Sequence, residues 1–199
     1  MNHAPIQTIS PGTALCIPKR AESEAPAVHP QDPASVVMTD FACEYPVVAG
    51  PEEQIDKALQ DMMRFGVRAL VVVEQGAMVG LITAQDILGE RPMLFLTSQA
   101  CTHESCLHRD VLVGDIMTPV TDLSVLTLDA LHAAQVGDVA ETFKATSQTH
   151  LVVIETEPSQ RSRLRGLLSR TRLGRQLGMD IAPVSYLPPM QAALAIARS

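Results

Sequence analysis

The chain has 199 residues and a formal net charge of −7, and 46% of its residues are hydrophobic whereas only 3% are aromatic. This length suffices for one large domain or two small ones with a buried core, and the acidic balance argues against a general nucleic-acid-binding protein. No run of about 18–20 apolar residues is present, so we expect no membrane span. Four scattered cysteines without a dense framework favour a reducing, cytoplasmic location.

The first part of the chain predicts an arm that leads into a helix. Residues 1–34 contain six prolines and little periodicity, which predicts a flexible or loosely docked arm. Residues 35–38 and 46–49 are expected to be extended, and the segment 50–53, with Pro51 and two acids, predicts a helix start. Apolar residues at i, i+3, i+4 and i+7 then predict one buried helix face, and Gly66 ends this helix.

A hairpin and a second helix follow. Residues 69–73 form a continuous apolar strand, Gln75 and Gly76 a turn, and residues 78–82 the returning strand. A helix is expected from Asp86 until Arg91 and Pro92 interrupt it. The order is therefore strand, helix, strand, strand, helix.

The same pattern occurs twice. A shift of 81 residues places the strand 70–74 on 151–155 and keeps the buried helix face, and a shift of 86 places 80–83 on 166–169. Because pattern, order and glycine positions coincide, the chain is a tandem duplication. We call 80–86 the first motif and 166–172 the second motif.

Each motif ends its strand on a hydroxyl residue, Thr83 or Ser169, where a helix begins. This position has free backbone N–H groups and the positive end of a helix dipole, so it can hold an anion. An ordinary helix cap would explain each hydroxyl as well. The duplication favours the binding interpretation.

The duplicated motifs, the segment Asp-Ile-Met-Thr-Pro at 115–119 and the segment 66–70 resemble a tandem pair of CBS domains, or Bateman module, over about residues 35–178. The resemblance implies an α/β fold of two βαββα repeats, 35–92 and 111–178, related by a pseudo-twofold axis and packed through their sheets. A linker, 93–110, would join the repeats, and 179–199 would be a tail. Members of this family often bind AMP, ADP, ATP or S-adenosylmethionine in the clefts between repeats, and often form homodimers.

The resemblance also implies roles for residues of the first repeat. Thr83 would contact phosphate, Asp86 would accept hydrogen bonds from ribose hydroxyls, and Val47 and Val48 would border the base. A carboxylate suits a ribose diol because it only accepts hydrogen bonds. Acids are also common in first helical turns on dipole grounds alone, which leaves a purely structural role for Asp86 open.

The second repeat departs from the family pattern. Ser169 keeps the hydroxyl, but Arg172 stands at the position of the acid. A guanidinium has only donors, so it cannot serve a ribose as a carboxylate does, although it suits phosphate. We therefore expect one nucleoside site at Thr83 and Asp86, with the second cleft either empty or binding phosphate through Arg170 and Arg172.

Other groups are open to two interpretations. The linker carries the zinc candidates Cys101, His103, Cys106 and His108, but four ligands so close in sequence strain a tetrahedral site, so a plain linker without metal is favoured. The arginine-rich stretch 161–175 contains no acid, which suits a small anion or an acidic partner, or merely a solvated sheet edge.

No phosphate loop, nucleophile elbow or dinucleotide fingerprint is present, so no enzyme is predicted. The resulting hypothesis is a regulatory module without a cofactor that binds an adenosine-containing ligand and signals in trans to an unknown effector protein. The alternative is a ligand-independent dimerisation scaffold whose clefts are vestigial. A metal or redox sensor in the linker is a third possibility.

Overall fold

The computed structural model describes residues 26–98, 107–146, 148–156 and 162–182. Its strands are β1 (Thr39–Asp40), β2 (Val48–Ala49), β3 (Ala69–Glu74), β4 (Ala77–Thr83), β5 (Thr118–Pro119), β6 (Val125–Thr127), β7 (His150–Thr156) and β8 (Ser162–Ser169). Its α-helices are α1 (Ile55–Phe65), α2 (Ala84–Leu88), α3 (Arg91–Leu96), α4 (Val113–Ile116), α5 (Leu128–Ala133), α6 (Val136–Ala145) and α7 (Arg170–Leu177).

The strands form two four-stranded sheets, each the centre of one unit. The sheet of the first unit has the order β2-β3-β4-β5, and that of the second unit has the order β1-β8-β7-β6. In both sheets the central pair is antiparallel, and one edge strand, β2 or β6, runs parallel to its neighbour. The predicted mixed α/β fold of two repeats is confirmed.

Each unit takes its other edge strand from the segment that leads into the other repeat. Strand β1 pairs with β8, with Thr39 opposite Leu167, whereas β5 pairs with β4, with Thr118 opposite Leu81. These two pairs occupy equivalent positions in the two repeats. The pseudo-twofold relation is therefore visible in the register of the sheets, and the lead-in segments are exchanged between the units.

A separate core lies on the helix side of each sheet. The first core includes Ile55, Met62, Leu70, Ile82 and Ile116, and the second includes Val37, Phe143, Leu151, Leu168 and Leu173. Three residues outside both cores, Val71, Leu81 and Val152, are also only 2% exposed. Because neighbouring strand residues point to opposite faces, these three lie on the sheet faces away from the helices, where the two units pack.

Two glycines allow the exchanged strands to approach closely. A Cβ atom on Gly80 would lie 2.7 Å from the carbonyl oxygen of Thr118, and one on Gly166 would lie 2.5 Å from that of Thr39. Since real Cβ atoms do not approach so closely, each motif needs glycine where the lead-in strand crosses it.

Local boundaries differ from the sequence-based expectations at three places. Residues 50–53 form a turn, in which the Glu53 side chain accepts a hydrogen bond from the Gly50 N–H at 2.9 Å, and α1 begins only at Ile55. Arg91 begins the further helix α3, because a proline is tolerated in a first turn. The run expected to be extended at 35–38 lies mostly in a 3₁₀ helix, Ala34–Val37. The predicted end of α1 at Gly66, in the left-handed conformation, is confirmed.

Part of the predicted arm contacts the second unit. The N–H of Val28 donates to the Gln176 carbonyl at 3.1 Å, and that of Gly137 donates to the Pro30 carbonyl at 2.8 Å. Residues 1–25 and 183–199, and the zinc candidates Cys101, His103 and Cys106, lie outside the described residues. The domain boundaries stay predictions. Within the described ranges, no helix has the length and apolar character that crossing a bilayer requires.

Candidate ligand-binding site

A cavity of about 1100 Å³ opens between the two units. The first unit contributes Val47, Ala69 and Val71 to its wall, and the second contributes Leu167 and Ser169. Ligand pockets commonly have volumes of roughly 300–1,000 Å³, so a nucleotide-sized molecule fits within this space. The wall combines an apolar surface with the hydroxyl of the second motif.

The charged groups around the cavity are mostly positive. Arg68 comes from the first unit, and Arg172 and Arg175 come from the second. The described lining residues include a single carboxylate, that of Glu44. A cleft lined by one sign of charge concentrates ions of the opposite sign, so this cavity favours an anion.

Ser169 caps the N-terminus of α7. Its Oγ accepts a hydrogen bond from the Arg172 backbone N–H at 3.5 Å, and the first turn of α7 contains no acidic residue. The Nη1 of Arg172 donates to Thr39 Oγ1 at 3.0 Å, which ties the motif to strand β1. The positive end of the helix dipole and the guanidinium therefore lie at the same corner of the cavity.

Arg170 lies next to this corner without lining the cavity. Its backbone N–H donates to the Thr149 carbonyl at 3.0 Å. Its Nη1 atom is buried, and no acceptor for it is found among the described residues. A buried donor without an acceptor is costly, so this group has an unmet need for an acceptor among the described residues.

His150 borders the cavity and is only 8% exposed. Burial, and then the positive charges of Arg170 and Arg68, lower the pKa of His150 to about 4. The imidazole is therefore neutral at physiological pH, with its Nδ1 atom 3.0 Å from Thr149 Oγ1. The cationic character of the cavity comes from its arginines.

The first motif is closed by its own hydrogen bonds. The Oδ2 atom of Asp86 accepts from the Thr83 N–H at 2.8 Å and from Thr83 Oγ1 at 2.7 Å, and the Asp86 N–H donates to Thr83 Oγ1 at 3.2 Å. The Oδ1 atom lies 3.2 Å from the Nε of Arg91. Neither Thr83 nor Asp86 lines the cavity described above.

The predicted site residues that the structure brings together are not the set that the sequence analysis grouped. It brings Val47 to the same cavity as Ser169 and Arg172, whereas Val48 is 51% exposed and is not part of the wall. The ligand roles of all these residues stay predictions. The Nδ1 atom of the zinc candidate His108 lies 3.5 Å from Asp56 Oδ1. The described residues contain no group of three or more metal-binding side chains.

The cavity also includes residues to which sequence reasoning gave no ligand role, among them Thr39, Arg68 and His150. The repeated sequence pattern contained a signal for Thr39 and another for His150. The dipeptide Met-Thr occurs both at 38–39 and at 117–118, and the shift of 81 aligns His150 with Ala69, which also lines the cavity. Arg68 lies in the segment 66–70 that carries the family resemblance, and Arg175, which also lines the cavity, belongs to the arginine-rich stretch 161–175.

Comparisons with known proteins agree with this architecture. The family model described as the CBS domain matches residues 34–92. No curated protein sequence matches the chain.

Several solved structures are similar to this chain. Protein MJ1225 from Methanocaldococcus jannaschii has a TM-score of 0.50 and 20% identity, over 73% of this chain and 48% of that one. CBSX2 from Arabidopsis thaliana, a CBS-pair protein solved in complex with AMP, has a TM-score of 0.49 and 21% identity, over 84% and 98%. The CBS domain protein TA0289 from Thermoplasma acidophilum has a TM-score of 0.49 and 17% identity, over 81% and 78%. At 20% identity the similarity to MJ1225 is one of fold.

Proposed function

The chain is a CBS-domain protein with a tandem pair of repeats, and we propose that it is a regulatory module that binds an adenosine nucleotide between the repeats. The observation that carries the proposal is the cavity of about 1100 Å³, in which the hydroxyl of the second motif meets arginines from both units. The family resemblance assigns this hydroxyl position to phosphate. The proposed role is one of binding and signalling, without a catalytic step.

The wall of the cavity offers groups for both parts of a nucleotide. Ser169, Arg172 and Arg68 provide a hydroxyl and two guanidinium groups for the phosphate. Val47 and Leu167 provide apolar surface for the base. The ligand would then contact both units at once.

The charge of the wall discriminates among the candidate ligands. AMP, ADP and ATP carry negative phosphate groups, whereas S-adenosylmethionine carries a positive sulfonium. Among the residues that the structure describes, three arginines and one carboxylate line the cavity. Electrostatics therefore favours the phosphorylated nucleotides over S-adenosylmethionine.

Binding between the units supplies a means of signalling. A ligand that contacts both units stabilises the relative orientation in which its contacts are best, and only its differential affinity for two orientations shifts their populations. The receiver would be a partner protein acting in trans, and a homodimer is expected from the family resemblance.

A ligand-independent dimerisation scaffold is the second candidate function. The observation that favours it is a set of exposed apolar side chains on the helices of the first unit, namely Met63, Phe65, Leu88, Met93 and Leu94. Such exposed side chains are common where proteins associate. Under this hypothesis the cavity would hold no nucleotide.

A thermal-shift panel with AMP, ADP, ATP and S-adenosylmethionine separates the two candidates. A nucleotide at about a hundred times its Kd stabilises the folded state by about 2.7 kcal/mol, which is a shift of several degrees. We expect such a shift with a phosphorylated nucleotide, and calorimetry should show roughly ten- to a hundredfold weaker binding to Arg172→Gln because a charge-assisted hydrogen bond is lost.

The matched control is Arg64→Gln, because Arg64 is exposed on α1 and does not line the cavity. This variant should bind as the wild type does. Unchanged affinity in Arg172→Gln would contradict the placement of the phosphate. No shift with any nucleotide, for a folded dimer, would instead favour the scaffold.

A further inference from the structure

Arg91, the first residue of α3, contacts the first motif and the lead-in segment of the second repeat at once. Its Nε lies 3.2 Å from Asp86 Oδ1. Its Nη1 donates to the Ile116 carbonyl at 2.7 Å and to Thr118 Oγ1 at 3.0 Å. One guanidinium therefore joins the acid of the first motif to strand β5.

These contacts use the carboxylate that the family resemblance assigns to a ribose. Both oxygens of Asp86 are engaged, Oδ2 by the N–H and hydroxyl of Thr83 and Oδ1 by Arg91. The Asp86 side chain is only 13% exposed. The acceptor site that Asp86 keeps lies on Oδ1, next to the Arg91 guanidinium, so a ribose diol that uses this carboxylate would have to compete with Arg91.

The second motif is likewise hydrogen-bonded to its lead-in strand, but among the described residues it has no ion pair equivalent to that of Arg91 with Asp86. The Nη1 of Arg172 donates to Thr39 Oγ1 at 3.0 Å, and the Nη1 of Arg91 donates to Oγ1 of the equivalent residue Thr118 at 3.0 Å. The shift of 86 that aligns the two motifs places Leu177 at the position of Arg91, and Leu177 packs against the core of the second unit. The cavity lies at the second motif, where no arginine occupies this position.

We propose that Arg91 blocks the ribose position of the first motif from within the chain, a role that we call the plug. The tandem pair of repeats consequently binds one nucleotide per chain, at the second motif. The guanidinium lies against the Asp86 oxygen that a ribose would use and ties the motif to β5. The stoichiometry rests on the proposed function, whereas the plug does not depend on it.

Calorimetric titration of AMP into the full chain tests the stoichiometry. We expect about one AMP per chain for the wild type and for the control Arg64→Ala, and about two for Arg91→Ala. Adding Asp86→Ala to Arg91→Ala should abolish the second binding event, because it removes the exposed acceptor. A wild-type protein that binds two, or an Arg91→Ala variant that is folded and still binds one, would overturn the inference.

Carboxyl-group footprinting by mass spectrometry tests the plug without any nucleotide. Asp86 should be labelled severalfold faster in Arg91→Ala than in the wild type or in Arg64→Ala, whereas the exposed carboxylate of Asp129 should react equally in all three. Equal labelling of Asp86 would overturn the plug. If neither protein binds AMP but Asp86 becomes reactive in Arg91→Ala, the proposed function fails and the plug stands.

Discussion

Replacement of His150 by glutamine should remove an acid sensitivity that is built into the second unit. Burial, together with the charges of Arg170 and Arg68, lowers the pKa of His150 in the folded protein from 6.5 to about 4. In the unfolded chain the imidazole regains its ordinary pKa. Between these two values the unfolded state binds a proton that the folded state refuses, so the free energy of unfolding falls as the pH decreases from 6.5 towards 4.

The size of the effect follows from the shift. A pKa difference of this size corresponds to a loss of about 3 kcal/mol once the pH is below both values, and about 2 kcal/mol of this is lost by about pH 5. Little is lost at neutral pH, because His150 is then neutral in both states. Glutamine does not titrate, so the His150→Gln protein lacks this contribution at every pH.

Urea unfolding of both proteins between about pH 7 and pH 5 measures the difference. Carboxylates and the other histidines titrate in both proteins and cancel in the comparison. We expect the free energy of unfolding of the wild type to fall by about 2 kcal/mol more than that of His150→Gln. Parallel loss of stability in the two proteins would refute the burial of a neutral imidazole between two arginines.

Two further predictions concern packing. Gly166→Ala should lower the free energy of unfolding by about 1–3 kcal/mol, because the added Cβ would lie 2.5 Å from the Thr39 carbonyl oxygen. In the same urea titration, the control Gly50→Ala should change the free energy of unfolding little, because its Cβ meets only the Glu53 side chain at 3.7 Å. Phe143→Ala should lower the free energy of unfolding by about 3–5 kcal/mol, because Phe143 is fully buried. Phe65→Ala should change it by no more than about 0.5 kcal/mol, because Phe65 is exposed. Similar losses of stability at both positions would contradict the assigned core.

The fold was largely predictable because its signals are local and occur twice. The apolar face of α1, the turn at Gln75 and Gly76, and the end of α1 at Gly66 each follow from a few neighbouring residues. The repetition of the pattern at a shift of 81 residues then indicates two units of one architecture. Local periodicity and backbone preferences act within a few residues, so the sequence shows them directly.

The site depended on contacts that no local pattern contains. The local sequence places Thr83 and Ser169 at helix starts, and the structure shows both as caps. No local pattern indicates that Arg91 reaches Asp86 and Thr118, or that Arg68 and Arg172 line one cavity. Lead-in strands are exchanged between the units, and this exchange brings side chains that are distant in sequence, such as Arg91 and Thr118, within hydrogen-bonding distance.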